Sequence, residues 1–231
     1  MNAKIVSTLL FISLVLNPKI SIKAQQVDTL PNRQTIFSDD FSRDLTGKFP
    51  ENWTSNRPGE VVTLKNLPGK WFKMHTEGTY LPIIQQEFSK RFTITFDFIF
   101  QATGNGNNTV ELTIFHKPSG SINDALFPGS SGIKIVFETF IVSCLCYDNL
   151  NPAGKMSGEN RARLIQPNNV TKISIRVDNQ QLHVFVNGLE CLNMSVCNNS
   201  DEILNAIRFY LWGSQAEPLI SNLKIFSDQE R

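Results

Sequence analysis

The sequence predicts an all-β protein, an antiparallel two-sheet β-sandwich of the jelly-roll type. Three observations carry this prediction. Apolar and polar residues alternate with period two along several runs, turn-forming residues separate the runs, and apolar residues at helical spacing are almost absent from residue 36 onward. The chain is 41% hydrophobic and contains 17 Phe, which is enough for one sizeable core. So many strands in about 190 residues fit a single domain.

The clearest strand covers residues 91–101. Its even-numbered positions from Phe92 to Phe100 are all large and apolar, whereas Thr93, Thr95 and Asp97 lie on the other face. This pattern is typical of a strand with one face in the core and one face in solvent.

Further strands follow the same reasoning. The residues Asp178 to Gln181 separate two alternating runs and so predict a hairpin. The predicted strands are Val110 to His116, Ile133 to Cys146, Lys172 to Val177, Leu182 to Val186, Ala206 to Trp212, and Leu219 to Phe226.

The first 24 residues have the pattern of a secretory signal peptide. One lysine, Lys4, precedes an apolar run from Ile5 to Leu16, and a polar stretch then ends at Ala24. The run is about a dozen residues, shorter than the roughly 20 that a membrane span needs. We therefore expect cleavage after Ala24, no transmembrane anchor after it, and a secreted, periplasmic or cell-surface protein. Residues 25–35 form a polar leader and residues 36–231 the single domain.

The charge balance argues against nucleic acid as a partner. The chain has 22 Lys+Arg, 21 Asp+Glu and a net charge of +1. Three of the basic residues lie in the predicted signal peptide, which leaves 19 basic against 21 acidic residues after cleavage. Such a chain has no broad basic face that could displace counterions from phosphates.

Four cysteines lie beyond the predicted signal peptide, as Cys144 and Cys146 and as Cys191 and Cys197. In an oxidising compartment they predict disulfides. Bridging Cys144 to Cys146 within one strand would strain the backbone, so we expect cross-links from the first pair to the second. A zinc site of four thiolates and simple buried thiols are the alternatives.

Four motifs, in this order, resemble those of the concanavalin A-like lectin/glucanase family in its laminin-G-like, secreted bacterial form. The resemblance implies a jelly roll whose closing strand pairs beside the first, with Trp53 as a structural plug in the opening turn. The motifs are Phe37 to Ser42 followed by Phe49 to Trp53, then Arg91 to Phe98, Lys172 to Gly188, and Ile220 to Ile225.

Glucanases of this family carry paired carboxylates on one strand, in a spacing like E-x-D-x-x-E. Such pairs supply a nucleophile and a general acid. No strand here has that spacing. The remaining catalytic pair would be Asp97 and Glu111, donated from neighbouring strands. The sequence therefore favours binding over catalysis, with a glycoside hydrolase or lyase as the alternative.

A row on the penultimate strand is the best candidate for a ligand-binding site. If Ile207, Phe209 and Leu211 form the core stripe, then Arg208, Tyr210 and Trp212 share the other face. Aromatic rings beside directional polar groups are typical of sugar binding. The alternative is that the rings are half-buried under loops. We expect this row to share its sheet face with Thr95, Asp97 and Glu111, and we rank Trp71 and Tyr80 second.

Asp40 is a candidate ligand for a structural calcium ion, because hard cations need clustered oxygen atoms. The alternative is a solvated strand end. No other cofactor is expected. Together these patterns predict a non-catalytic binding domain for a glycan. A polysaccharide-degrading enzyme is one alternative, and a structural or adhesive surface protein, with a cell-surface protein as partner, is the other.

Overall fold

The computed structural model describes residues 33–75, 77–101, 109–116, 126–161, 163–196, 203–212 and 217–228. These residues contain fifteen β-strands and no helix, so none of their segments could span a membrane as a helix. The predicted signal peptide lies outside the described residues. The strands are β1 (Arg33–Asp39), β2 (Trp53–Ser55), β3 (Gly59–Leu64), β4 (Leu67–Met74), β5 (Thr79–Pro82), β6 (Arg91–Ile99), β7 (Thr109–Phe115), β8 (Gly132–Glu138), β9 (Val142–Tyr147), β10 (Lys155–Asn160), β11 (Thr171–Asp178), β12 (Gln181–Val186), β13 (Leu189–Ser195), β14 (Ala206–Trp212) and β15 (Leu219–Asp228).

The strands form two antiparallel sheets, which confirms the predicted all-β sandwich. Sheet A has the order β13-β12-β11-β6-β15-β4-β3, and β1 also pairs with β15. Sheet B has the order β10-β9-β8-β7-β14-β5-β2. The pairing of β1 with β15 confirms that the closing strand lies beside the first. Strand β1 begins at Arg33, within the stretch that the sequence assigned to a polar leader.

The core lies between the sheets and is built from the apolar stripes that the alternation predicts. Phe96 on β6 meets Phe209 on β14 with ring centroids 5.3 Å apart and perpendicular planes. Ile207, Phe209 and Leu211 are fully buried, as the core stripe of β14 requires. The even-numbered residues of this strand must then point to the outer face of sheet B.

The predicted strand from Ile133 to Cys146 is wrong, because this run is two strands, β8 and β9. The chain reverses between Glu138 and Ile141, where the amide of Glu138 donates to the carbonyl of Ile141 at 2.9 Å. The reversal uses Thr139 and Phe140, which are not typical turn residues, so no local turn signal marks it.

The expected disulfide from Cys144 or Cys146 to Cys191 is also wrong. No disulfide joins Cys144, Cys146 and Cys191 to one another. Cys191 packs into the core, and burial raises the pKa of its thiol to about 11. Cys197 lies outside the described residues.

Candidate functional site

The outer face of sheet B carries the row predicted on β14. In the lateral register, Arg208 lies beside Thr113 and Thr113 beside Lys134, while Tyr210 lies beside Glu111. These five residues belong to three adjacent strands and share one face. We call them the sheet B site. Arg208, Tyr210 and Glu111 are among the residues that the sequence pattern predicts for the site, whereas Lys134 and Thr113 are not.

An ion pair lies at the centre of the sheet B site. Lys134 Nζ is 2.9 Å from Glu111 Oε2, and the two residues are only 4% and 7% exposed. Burial lowers the pKa of Lys134, and the charge of Arg208 lowers it further, whereas attraction to Glu111 raises it. The pair thus places a charged donor and a charged acceptor in surroundings that exclude most water.

Arg208 and Tyr210 stack on the next strand. Arg208 is 1% exposed, and its guanidinium carbon lies 5.8 Å from the centre of the Tyr210 ring. Tyr210 is half-buried. The Tyr210 ring therefore lies at the border of the site, with the Arg208 guanidinium packed against it. The backbone of Trp212 pairs with that of Thr109 and continues the row, but the Trp212 side chain is not among the described parts of the structure.

A short segment, Leu126 to Pro128, packs over the end of the sheet B site, and we call it the strap. Arg208 Nη2 lies 3.4 Å from the carbonyl oxygen of Leu126. The Lys134 ammonium lies 4.2 Å from the centre of the Phe127 ring. The hydroxyl of Tyr147 donates to the carbonyl of Pro128 at 2.6 Å, and burial raises the pKa of this hydroxyl. Part of the face expected to be open to solvent is therefore covered.

The expectation that Thr95 and Asp97 share a face with the Arg208 row is wrong. Both lie on β6, which belongs to sheet A, and in the register they lie beside Lys224 and Ser221. Asp97 Oδ2 accepts a 2.7 Å hydrogen bond from Asn222 Nδ2. This bond supports the bulge in β15 between Ser221 and Lys224. Because the core separates the two outer faces, Asp97 is not part of the sheet B site.

The same separation bears on the candidate catalytic pair. Asp97 and Glu111 are on consecutive strands, but β6 is in sheet A and β7 is in sheet B. The side chains project from opposite faces of the sandwich, so the expected convergence of the two carboxylates is wrong. Glycosidases hold their two carboxyl groups within about 10 Å of each other on one cleft.

The second-ranked candidates are buried. Trp71 is 3% exposed and packs with Ile99 and Leu219 on the outer face of sheet A. Tyr80 lies in the core, where its hydroxyl donates to the carbonyl of Pro58 at 2.7 Å, and burial raises its pKa to about 12. Neither ring is presented to a ligand.

The residues around Asp40 do not fit a calcium ion. The Asp40 carboxylate accepts from the amide of Ser42 at 2.9 Å, which is a local turn. The carbonyl oxygens of Ser42 and Asp44 already bind a cation, because Lys70 Nζ lies 3.1 and 2.6 Å from them. Within the described ranges, no three His, Cys, Asp or Glu residues group as metal ligands would.

One sequence signal could have found Lys134. It is a lone charged residue between Ile133 and Ile135, and alternation therefore places it on the outer face. Pairing β8 with β7 brings it to Thr113, but the sequence does not specify this pairing. The missed turn at Glu138 also concealed the strand to which Lys134 belongs.

Comparison with known proteins identifies the fold. No protein-family model and no curated protein matches the sequence. The carbohydrate recognition domain of Emp47p matches the structure with a TM-score of 0.62 and 13% identity, over 87% of this chain and 99% of that one.

Two other solved structures are similar. The Ca²⁺/Man3GlcNAc-bound exoplasmic/lumenal domain of VIP36 matches with a TM-score of 0.56 and 12% identity, over 80% of this chain and 86% of that one. Carbohydrate-binding module CBM66 from Bacillus subtilis matches with a TM-score of 0.52 and 13% identity, over 76% and 96%. At these identities the likeness concerns the fold alone, and the chain shares the antiparallel two-sheet β-sandwich of these three structures.

Proposed function

We propose that this protein is a non-catalytic binding domain that recognises a glycan on the outer face of sheet B. One observation carries the proposal. A sandwich similar in fold to several carbohydrate recognition domains has a half-buried tyrosine, Tyr210, on this face, beside Arg208 and Glu111.

The chemistry of these side chains suits a sugar. The face of a pyranose ring is lined with C–H groups that pack on an aromatic ring such as Tyr210. The hydroxyl groups at the sugar's rim need directional donors and acceptors, which Arg208, Lys134 and Glu111 can supply. Because Lys134 and Glu111 are held by their ion pair, they are ordered before a ligand arrives, which lowers the entropy cost of binding.

Binding is favoured over catalysis by the position of the two candidate carboxylates. Glu111 is paired with Lys134 in sheet B, and Asp97 is bonded to Asn222 in sheet A. Glu111 and Asp97 therefore cannot act together as the general acid and general base of one active site. We therefore propose that the protein binds its glycan without altering it. We also propose that it works outside the cytoplasm, on the basis of its signal-like first 24 residues.

A glycan array tests the proposal through two matched variants. Tyr210→Ala removes a half-buried ring that lies under Arg208, and Phe226→Ala removes one in sheet A that lies 6.0 Å under Arg33. We expect the unmodified protein to bind particular glycans, Tyr210→Ala to lose them, and Phe226→Ala to retain them. Arg208→Ala is less informative, because truncating a fully buried arginine would also destabilise the fold.

Two results would contradict the proposal. If the folded protein binds no glycan, it is better described as a structural or adhesive domain with a protein partner. If both variants lose the same glycans equally, binding does not depend on sheet B. Circular dichroism of each variant verifies that a loss of binding is not a loss of fold.

A further inference from the structure

Two threonine hydroxyls on the outer face of sheet B are buried without a hydrogen-bond partner among the described residues. They are Oγ1 of Thr113 and Oγ1 of Thr79, and both threonines are 0% exposed. Thr113 lies between Arg208 and Lys134, and Thr79 lies beside Tyr210 on the other side from Glu111. Both hydroxyls therefore border the sheet B site.

An unpartnered buried hydroxyl makes a fold less stable, since it gives up hydrogen bonds to water and gains none. Valine has nearly the same shape and would avoid this cost. Strands β5 and β7 thus carry at these two positions hydroxyls that packing does not require. A hydroxyl can both donate and accept, which is also true of each hydroxyl on a sugar.

We propose that Thr113 and Thr79 are specificity-determining residues that hydrogen-bond the hydroxyl groups of a bound sugar, and that the strap must move aside for a sugar to reach Thr113. This inference rests on the proposed function. The ligand class is a saccharide with free hydroxyls at opposite ends, packed against Tyr210 and bonded to the two threonines, because Thr113 and Thr79 flank β14 from either side, on the order of 11 Å apart. Discrimination arises because a sugar lacking either hydroxyl leaves a buried partner unsatisfied.

The strap is attached by contacts that a local movement can break. The polar ones are the 2.6 Å hydrogen bond from Tyr147 to Pro128, the contact of the Lys134 ammonium with the Phe127 ring, and the long contact of Arg208 with Leu126. The Phe127 ring also packs against the Tyr147 ring, with centroids 5.2 Å apart, so opening must separate these rings as well. If only the open form binds, the apparent affinity equals the intrinsic affinity multiplied by the open fraction. Weakening the strap should then strengthen binding.

The experiment compares three threonine-to-valine variants on the complete array of immobilised glycans. Thr113→Val and Thr79→Val alter sheet B. Thr93→Val is the matched control, because Thr93 is 5% exposed with an equally unpartnered hydroxyl on the outer face of sheet A. We expect all three to melt at or above the temperature of the unmodified protein. We expect the two sheet B variants alone to bind about tenfold more weakly.

The outcomes separate this inference from the function on which it rests. If the unmodified protein binds no glycan on the array, both fail. If it binds, and Tyr210→Ala loses binding while Thr113→Val and Thr79→Val bind as before, the inference is overturned and the proposed function stands. Equal weakening by Thr93→Val would also overturn it.

A fourth variant tests the strap. Tyr147→Phe removes only the hydroxyl that donates to Pro128. We expect it to bind the same glycans more tightly and with a faster association rate. Unchanged or weaker binding would show that the strap is a fixed part of the fold and that Thr113 is not reached by its movement.

Discussion

Trp53 Nε1 donates a 3.0 Å hydrogen bond to Oδ2 of Asp39, which joins the end of β1 to the start of β2. The other carboxylate oxygen of Asp39 accepts from the amide of Phe41 at 2.8 Å. Phe41 has a φ of +59°, a left-handed conformation that is rare for a bulky residue. The buried Phe41 ring packs against Trp53, so this carboxylate holds a strained turn in place. Trp53 is 4% exposed, which agrees with the structural plug that the family resemblance implies.

Replacing Trp53 with Phe should destabilise the protein. The change removes the donor to Asp39 and leaves one oxygen of a buried carboxylate unsatisfied, at a cost of about 1–3 kcal/mol beyond the lost packing. Urea unfolding measures the effect. Trp71→Phe is the matched control, because Trp71 is equally buried and its Nε1 has no partner within the described part of the chain. Equal losses in the two variants would contradict the role of the Asp39 bond.

Titration of Asp39 should contribute to the pH dependence of the free energy of unfolding. Burial raises its pKa above 3.8, with Asp44 and Asp40 adding to the effect, although the bonds from Phe41 and Trp53 oppose it. Between 3.8 and this raised pKa the folded state binds more protons than the unfolded state, so the free energy of unfolding falls as pH rises.

Asp39→Asn removes that titration. We expect the free energy of unfolding of the unmodified protein, minus that of Asp39→Asn, to decrease as pH rises through this window. Urea unfolding at a series of pH values from about 3 upward gives this difference. A difference that increases with pH would mean that the hydrogen bonds outweigh burial.

Breaking the ion pair of the sheet B site should be costly. Lys134→Met leaves the Glu111 carboxylate buried without its 2.9 Å partner, and we expect a loss of about 3–5 kcal/mol. The double variant Lys134→Met with Glu111→Gln removes both charges and should recover most of that loss. Urea unfolding of the two single variants and the double variant gives the coupling energy. Additive losses would show that the pair does not act as a unit.

Lys70 should make the stability of the loop from Asp40 to Asp44 independent of calcium. We expect the melting temperature of the unmodified protein to be the same in calcium and in EDTA. Lys70→Met removes the ammonium that binds the carbonyls of Ser42 and Asp44 and should cost about 1.5–3 kcal/mol. Lys65→Met, an exposed lysine in the turn between β3 and β4, is the control. A calcium-dependent increase in the melting temperature of the unmodified protein would show that metal binds despite Lys70.

Alternation predicted which residues share a face but not which sheet holds them. Thr95 and Asp97 were correctly assigned to the face of β6 that points away from the core, as Arg208 and Tyr210 were on β14. The error was in assigning both strands to one sheet. Period two gives the direction of a side chain relative to its own strand, whereas sheet membership depends on pairings distant in sequence.

The features of the site that were missed depend on contacts distant in sequence. Lys134 lies beside Thr113 and packs under Phe127 only after β7 and β8 pair and the strap closes over them. No local pattern states that a charged residue on a solvent-facing stripe will be 4% exposed. The cysteines show the same limitation, because an oxidising compartment favours disulfides but does not determine which cysteines the fold brings together.

The pairing of Arg33 with Asp228 has a practical consequence for tethering the protein. The first and last described strands enter and leave sheet A side by side, so a linker or support attached near either position starts from the same place. Both attachments lie in the sheet opposite the strap. An attachment near Arg33 or near Asp228 is therefore made in sheet A and leaves the residues of the sheet B site unaltered.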